Sequence, residues 1–114
     1  MFIHRDYHPT NVLYRDGGVS GVVDWINACR GLACADLAHC RINLVMMYGI
    51  STADRFLEAY CEVSERFEYD PYWDIDAILD TCVPRPKFYA PWRDFGLETI
   101  PQETLYQPVG TYIH

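Results

Sequence analysis

Within the first 24 residues, three oxygen-bearing side chains fall at spacings suited to phosphoryl transfer. His4-Arg5-Asp6 followed by Asn11 fits the pattern H-R-D-x-x-x-x-N, and Asp24 closes the apolar run Gly21-Val22-Val23. Moving a phosphoryl group from a nucleotide asks little covalent chemistry of a protein. It asks for a carboxylate that orients the attacking hydroxyl, and for oxygen ligands that fix the magnesium bridging the phosphates. Asp6 suits the first task, Asn11 and Asp24 the second. Asp6 and Asn11 stand at two ends of one short loop, and a hairpin returns Asp24 beside them. The spacing predicts that all three converge at an open edge of the fold.

The elements that must position them follow from the pattern of apolar residues. Phe2-Ile3 reads as the end of a strand, with no neighbour to pair with. Val12-Leu13-Tyr14 and Val19 to Trp25 are β-rich runs joined by Asp16-Gly17-Gly18, a good hairpin turn. Asp36 to Tyr48 is too long and too apolar for an ordinary strand, and predicts a buried helix ended by Gly49. Met46-Met47 fills the core of that helix. His39 on it is expected to be a satisfied core histidine, and His8 beside Pro9 to shape the loop. Ser51 with Asp54 three residues on resembles a capping box. Behind it, Ala53, Phe56, Leu57, Tyr60, Cys61 and Phe67 mark one face of an amphipathic helix. Glu58, Glu62, Glu65 and Glu68 form a solvated acidic stripe. A third helix is predicted over Trp73 to Cys82, with Ile75, Ile78 and Leu79 facing inward. Prolines at 84, 86, 91, 101 and 108 lie among aromatics such as Trp92 and leave room for at most a short helix. The chain thus divides into a core over 1–83 and an irregular tail of the same domain over 84–114.

The full string H-R-D-Y-H-P-T-N, with His8-Pro9 inside the loop, resembles the aminoglycoside phosphotransferase and choline kinase group rather than the protein kinases. Val22-Val23-Asp24-Trp25 points the same way. So does Gly31-Leu32-Ala33-Cys34-Ala35-Asp36-Leu37-Ala38, similar to that group's G-x-x-x-x-D-L-A element. The resemblance implies an α+β fold: a protein-kinase-like C-terminal lobe, mainly helical, with a small β-hairpin carrying the catalytic and metal-binding loops. It implies transfer of the γ-phosphate of ATP or GTP, with Mg2+, to a hydroxyl of a small molecule. Asp6 takes the catalytic position, Asn11 and Asp24 the metal-ligand positions, and His4 and Asp36 match positions that brace the loop from within. The group holds its nucleotide mostly with an N-terminal lobe: a phosphate loop, a strand lysine and a helix glutamate. Only three residues precede His4, and the sole lysine is Lys87. The expectation is therefore a catalytic lobe that lacks its nucleotide-binding partner lobe and is inactive alone.

Composition narrows the partners. A chain of 114 residues makes one modest core. A net charge of −7 argues against nucleic acid or an anionic membrane as partner and suits a cationic substrate. No apolar run reaches the ~20 residues that span a bilayer, and the N-terminus shows no secretory pattern; a native start at Met1 implies the cytoplasm. Five cysteines match neither a CxxC pair nor a zinc pattern, and are expected to be small reduced core residues. An apolar surface left bare by the partner lobe predicts a homodimer, with the tail reaching across. The rival expectation is a non-catalytic remnant serving as an acidic oligomerisation or interaction module.

Overall fold

The computed structural model of the chain describes residues 1–65, 67–82 and 112. The expectations for the segment from Pro84 onward lie outside them, Tyr112 excepted. Among these residues the fold is α+β: two small antiparallel sheets precede three helices.

The first sheet pairs β1 (Phe2–Ile3) with β4 (Cys29–Arg30), Phe2 opposite Arg30 and Ile3 opposite Cys29. The expected unpaired first strand is therefore corrected. Its partner is only two residues long, too short to leave a period in the sequence. Met1 and Gly31 extend the pairing by a bond in which the Gly31 N–H donates to the Met1 carbonyl at 2.8 Å. A Cβ at Gly31 would sit 2.5 Å from Ile3 Cδ1, so a larger residue there would force the buried Ile3 side chain to shift.

The hairpin of β2 (Val12–Arg15) and β3 (Gly18–Val22) turns at Asp16-Gly17, both with positive φ (53° and 80°), as two-residue loops of right-twisted strands require. A bulge after Leu13 leaves Ser20 without an opposite residue. β3 stops at Val22 rather than at Trp25. Two residues on, Asp24 adopts φ +66° and swings the chain out of the ladder, and the Trp25 indole N–H donates back to the Val22 carbonyl at 2.8 Å.

Helix α1 (Ala33–Tyr48) is the axis of the domain. From Leu37 to Met47 nearly every residue is buried, because α2 (Ile50–Val63) and α3 (Tyr72–Cys82) both pack on it while β1 meets its start. A helix apolar all round has to sit inside. Gly49, at φ +103°, ends α1 by donating to the Leu44 and Val45 carbonyls and starts α2 in the same stroke. That one-residue junction removes the expected capping box: no side chain caps α2, and Asp54 turns to Arg41 instead.

Two further expectations are corrected by the same arginine. Arg41, 5% exposed, donates from Nε to Asp74 Oδ1 at 3.0 Å and from Nη1 to the Ala53 carbonyl at 2.9 Å. Tyr69 and Tyr112 lay their rings 5.6 and 5.4 Å from its guanidinium carbon. Drawing Asp74 inward sets the rotation of α3, so Ala77, Ile78 and Cys82 face α1 while Ile75 and Leu79 stand 59% and 60% exposed. Asp74 and Ile78 are four apart and share a face; Ile75 and Leu79 are turned from it by about 100°. On α2, Ala53 is buried as expected, but Cys61 faces solvent, as does Cys29, while Cys34, Cys40 and Cys82 are buried; all five are free. The four glutamates of the acidic stripe are exposed.

Candidate active site

The loop from His4 to Asn11 is shaped by bonds to its backbone. Asp36, in the first turn of α1, accepts the His4 N–H at 2.6 Å and the Arg5 N–H at 2.7 Å. The N-terminal end of a helix favours a carboxylate, which adds to the grip. Between these contacts Arg5 takes φ +74°, a conformation rare for a non-glycine residue. His4 is 2% exposed and ties the loop to the far hairpin strand. Its Nδ1 accepts the Asp6 N–H at 3.0 Å, so Nε2 carries the proton and donates to the Val23 carbonyl at 2.7 Å. Trp25 closes over that ring at 4.5 Å between centroids.

A single 3₁₀ turn over Pro9–Asn11 ends the loop and delivers Asn11 back to Asp6. Asn11 Nδ2 donates to the Asp6 carbonyl at 2.9 Å and lies 3.3 Å from its Oδ2. With the amide nitrogen engaged, the side-chain carbonyl is what Asn11 can present to a cation. The Val23 N–H donates to the Asn11 carbonyl at 2.9 Å, which fastens the segment carrying Asp24 to the loop. Asp24 is close enough for its charge to act on His8, and His8 in turn touches both Asp6 and Asn11. The structure thus brings Asp6 and Asn11 into direct contact, with Asp24 tied on through its neighbour Val23. His4 and Asp36 are set behind them.

Two histidines flank the Asp6 carboxylate. His8 Nε2 is 3.4 Å and His39 Nε2 3.3 Å from Asp6 Oδ1. Burial pulls the His8 pKa below the ordinary histidine value; Asp6 and Asp24 oppose the shift, while His39 and His4 add to it. His39 was expected inside the core and instead stands at its edge. The available signal was its position three residues after Asp36, which puts both on the helix face that meets the loop.

Two cavities border the loop. One, of about 250 Å3, is apolar and lined by Phe2, His4, Tyr7, Trp25, Phe56 and Tyr60 among others. The other, of about 90 Å3, is polar and lies where His39, Arg5, Trp73, Asp76 and Asp80 meet.

A braced loop presenting a carboxylate and an asparagine to a hairpin aspartate is the kind of site a phosphoryl-transfer protein uses. The sequence matches the phosphotransferase enzyme family over residues 1–72, more than half of its length, and the chain belongs to that family, the aminoglycoside phosphotransferase-like group that its loop resembles. A homoserine kinase from Gluconacetobacter diazotrophicus is 47% identical to it over 38 residues, which cover 33% of this chain and 12% of that protein. The chain therefore matches about an eighth of the length of that curated relative. No solved structure matches it.

Proposed function

We propose that this chain is the catalytic part of a small-molecule kinase, built as a protein-kinase-like C-terminal lobe, that transfers the γ-phosphate of ATP or GTP to an alcohol. The observation that carries the reading is the Asn11–Asp6 contact on a loop whose backbone is clamped by Asp36 and His4. Asp6 orients the acceptor hydroxyl and takes its proton as the new O–P bond forms and the bond to the β-phosphate oxygen breaks. Asn11 and Asp24 offer hard oxygen donors of the type Mg2+ prefers, and they would hold it. When bound, the ion supplies neutralisation of the phosphate charge. The groups that grip the nucleotide would come from a segment outside these 114 residues.

The acceptor we favour is a small amino alcohol, the class to which homoserine belongs. The polar cavity supports it: Asp76 and Asp80 are matched to an ammonium group, Arg5 to a carboxylate, and His39 connects that cavity to Asp6. The face where Phe2 stacks on Trp25 at 6.0 Å, beside Met1 and Ile26, is exposed and apolar. By itself the 114-residue chain is expected to pair with a second copy through it. Light scattering that reads one chain mass at every concentration overturns the pairing.

The function is tested by following phosphorus-31 NMR of ATP and Mg2+ with homoserine, choline and an aminoglycoside. The 114-residue chain alone is expected to show no useful turnover. Expressed with the coding sequence contiguous upstream, it is expected to phosphorylate one of these alcohols, with Asp6→Asn reducing the rate by roughly 10²–10⁴-fold. Transfer that survives Asp6→Asn undiminished sinks the assignment.

A further inference from the structure

Neither histidine on Asp6 takes a proton or holds magnesium in the roles set out above, although His39 borders the acceptor cavity, and their geometry about Asp6 is specific. We infer that Asp6, His8 and His39 form a binding site for a zinc-type transition-metal ion, separate in its ligands from the magnesium pair Asn11 and Asp24. The three donor atoms lie within 4.8 Å of one another. A tetrahedral zinc ion with bonds of about 2.0–2.1 Å holds its ligand atoms about 3.3–3.4 Å apart. Asp6 Oδ1 stands 3.4 Å from His8 Nε2 and 3.3 Å from His39 Nε2, which already gives two edges of that tetrahedron. The third edge, between the two nitrogens, closes by a small movement of His39, whose side chain is 23% exposed.

The supporting shell is in place as well. Thr10 Oγ1 lies 2.8 Å from His8 Nδ1; when that nitrogen holds the proton and donates to the hydroxyl, the Nε2 lone pair faces Asp6 Oδ1 and the Asn11 amide nitrogen at 3.3 Å, a contact the ion would replace. An imidazole whose second nitrogen is so engaged is the usual form of a metal ligand. Asp6 divides its oxygens, Oδ1 toward the histidines and Oδ2 toward Asn11 Nδ2 at 3.3 Å. Its partial exposure leaves room for a water as fourth ligand. Ligand chemistry separates the two metals: imidazole nitrogen suits zinc, copper and nickel, whereas magnesium takes oxygen. One consequence rests on the function proposed above. Zinc in this position occupies the carboxylate assigned to the acceptor hydroxyl and so acts as an inhibitor of transfer.

The test is zinc titration of the 114-residue chain by calorimetry, with cobalt(II) as a spectroscopic substitute. We expect one equivalent bound, a tetrahedral cobalt d–d spectrum and no thiolate charge-transfer band. His39→Ala is expected to weaken binding roughly tenfold or more, as is His8→Ala, while Cys29→Ser with Cys61→Ser and an excess of Mg2+ leave it unchanged. His39 sits at the helix surface, so circular dichroism should find its variant folded even if the His8 variant is not. Wild-type affinity in His39→Ala, a thiolate band, or no binding overturns the site. Zinc binding by this chain with no transfer from the protein expressed together with its upstream coding sequence would refute the function and leave the site standing; transfer there without zinc binding would do the reverse.

Discussion

The His4–Asn11 loop and the Arg41 knot are both polar, both built on α1, and held in opposite ways. At the loop, side chains grip backbone: Asp36 takes two successive N–H groups, and His4 links an N–H to a carbonyl on another element. At the knot, side chains mostly grip side chains: Arg41 reaches Asp54, Asp74 and Tyr112, and Tyr69 donates to Asp74. Backbone groups are the same whatever residue carries them, so the grip of Asp36 on the His4 and Arg5 N–H groups does not depend on the Arg5 side chain. The knot depends on the identity of every member. Its charge balance shows the strain of burial. Burial disfavours the Arg41 cation, yet the hydrogen bond and charge of Asp74 outweigh it and raise the pKa; burial and Asp74 together raise those of Tyr69 and Tyr112.

The largest expected effect separates the two regions outright. Arg41→Met leaves the half-buried Asp74 without its counter-charge and is expected to cost about 3 kcal/mol of unfolding free energy, the low end for breaking a buried pair. Denaturant unfolding measures this, and native-state hydrogen exchange should rise across α1, α2 and α3 together. If the variant is as stable as the parent, the knot is not what holds the helices.

Asp36→Asn should do less and do it locally. One of the two N–H groups at His4 and Arg5 then faces an amide nitrogen, at a cost of about 1–3 kcal/mol. Exchange should speed up at those amides while the helices stay protected. Equal loss of protection throughout would mean that the loop and the helical core are one unit.

The smallest effect is a pH dependence. His8 has a lowered pKa in the folded chain, so below the ordinary histidine value of about 6.5 the unfolded chain takes up a proton that folded His8 resists. The unfolded state then binds more protons, and stability falls as pH drops through that value. An NMR titration should find the His8 midpoint below those of exposed histidines, and His8→Gln should flatten the acid slope. A normal His8 midpoint would remove this contribution.

The same contrast decides what could be read in the sequence. Asp6, Asn11 and Asp24 stand in strings over positions 6 to 24 whose spacing marks them, while His4 and Asp36 are marked by the resemblance of those strings to the phosphotransferase group. The helix over 36–48 and the Asp16-Gly17 turn are legible for a similar reason, being set by neighbours in the chain. Arg41 is not. Its partners lie 12 residues away at Ala53, 33 at Asp74 and 71 at Tyr112, and nothing local distinguishes it from a surface arginine. Reading α3 by its largest apolar residues turned Ile75 and Leu79 inward, because the anchor that fixes its rotation is a distant charge. Strand β4 escaped notice because pairing across 26 and 28 residues leaves no trace in a two-residue segment.

The single residue between α1 and α2 bears on the order in which the molecule assembles. Gly49 closes the helical hairpin with almost no intervening chain, so the entropy lost in bringing α1 and α2 together is small. The clamp of Asp36 on His4 and Arg5 spans 32 and 31 residues and must close a far longer loop. Local contacts form first where topology allows it. On that ground the helical hairpin is expected to form early, and the His4–Asn11 loop to dock later onto a helix that already presents its carboxylate. In a chain emerging residue by residue, the His4–Asn11 loop is made before α1 and therefore waits, exposed, until the helix that organises it has been synthesised.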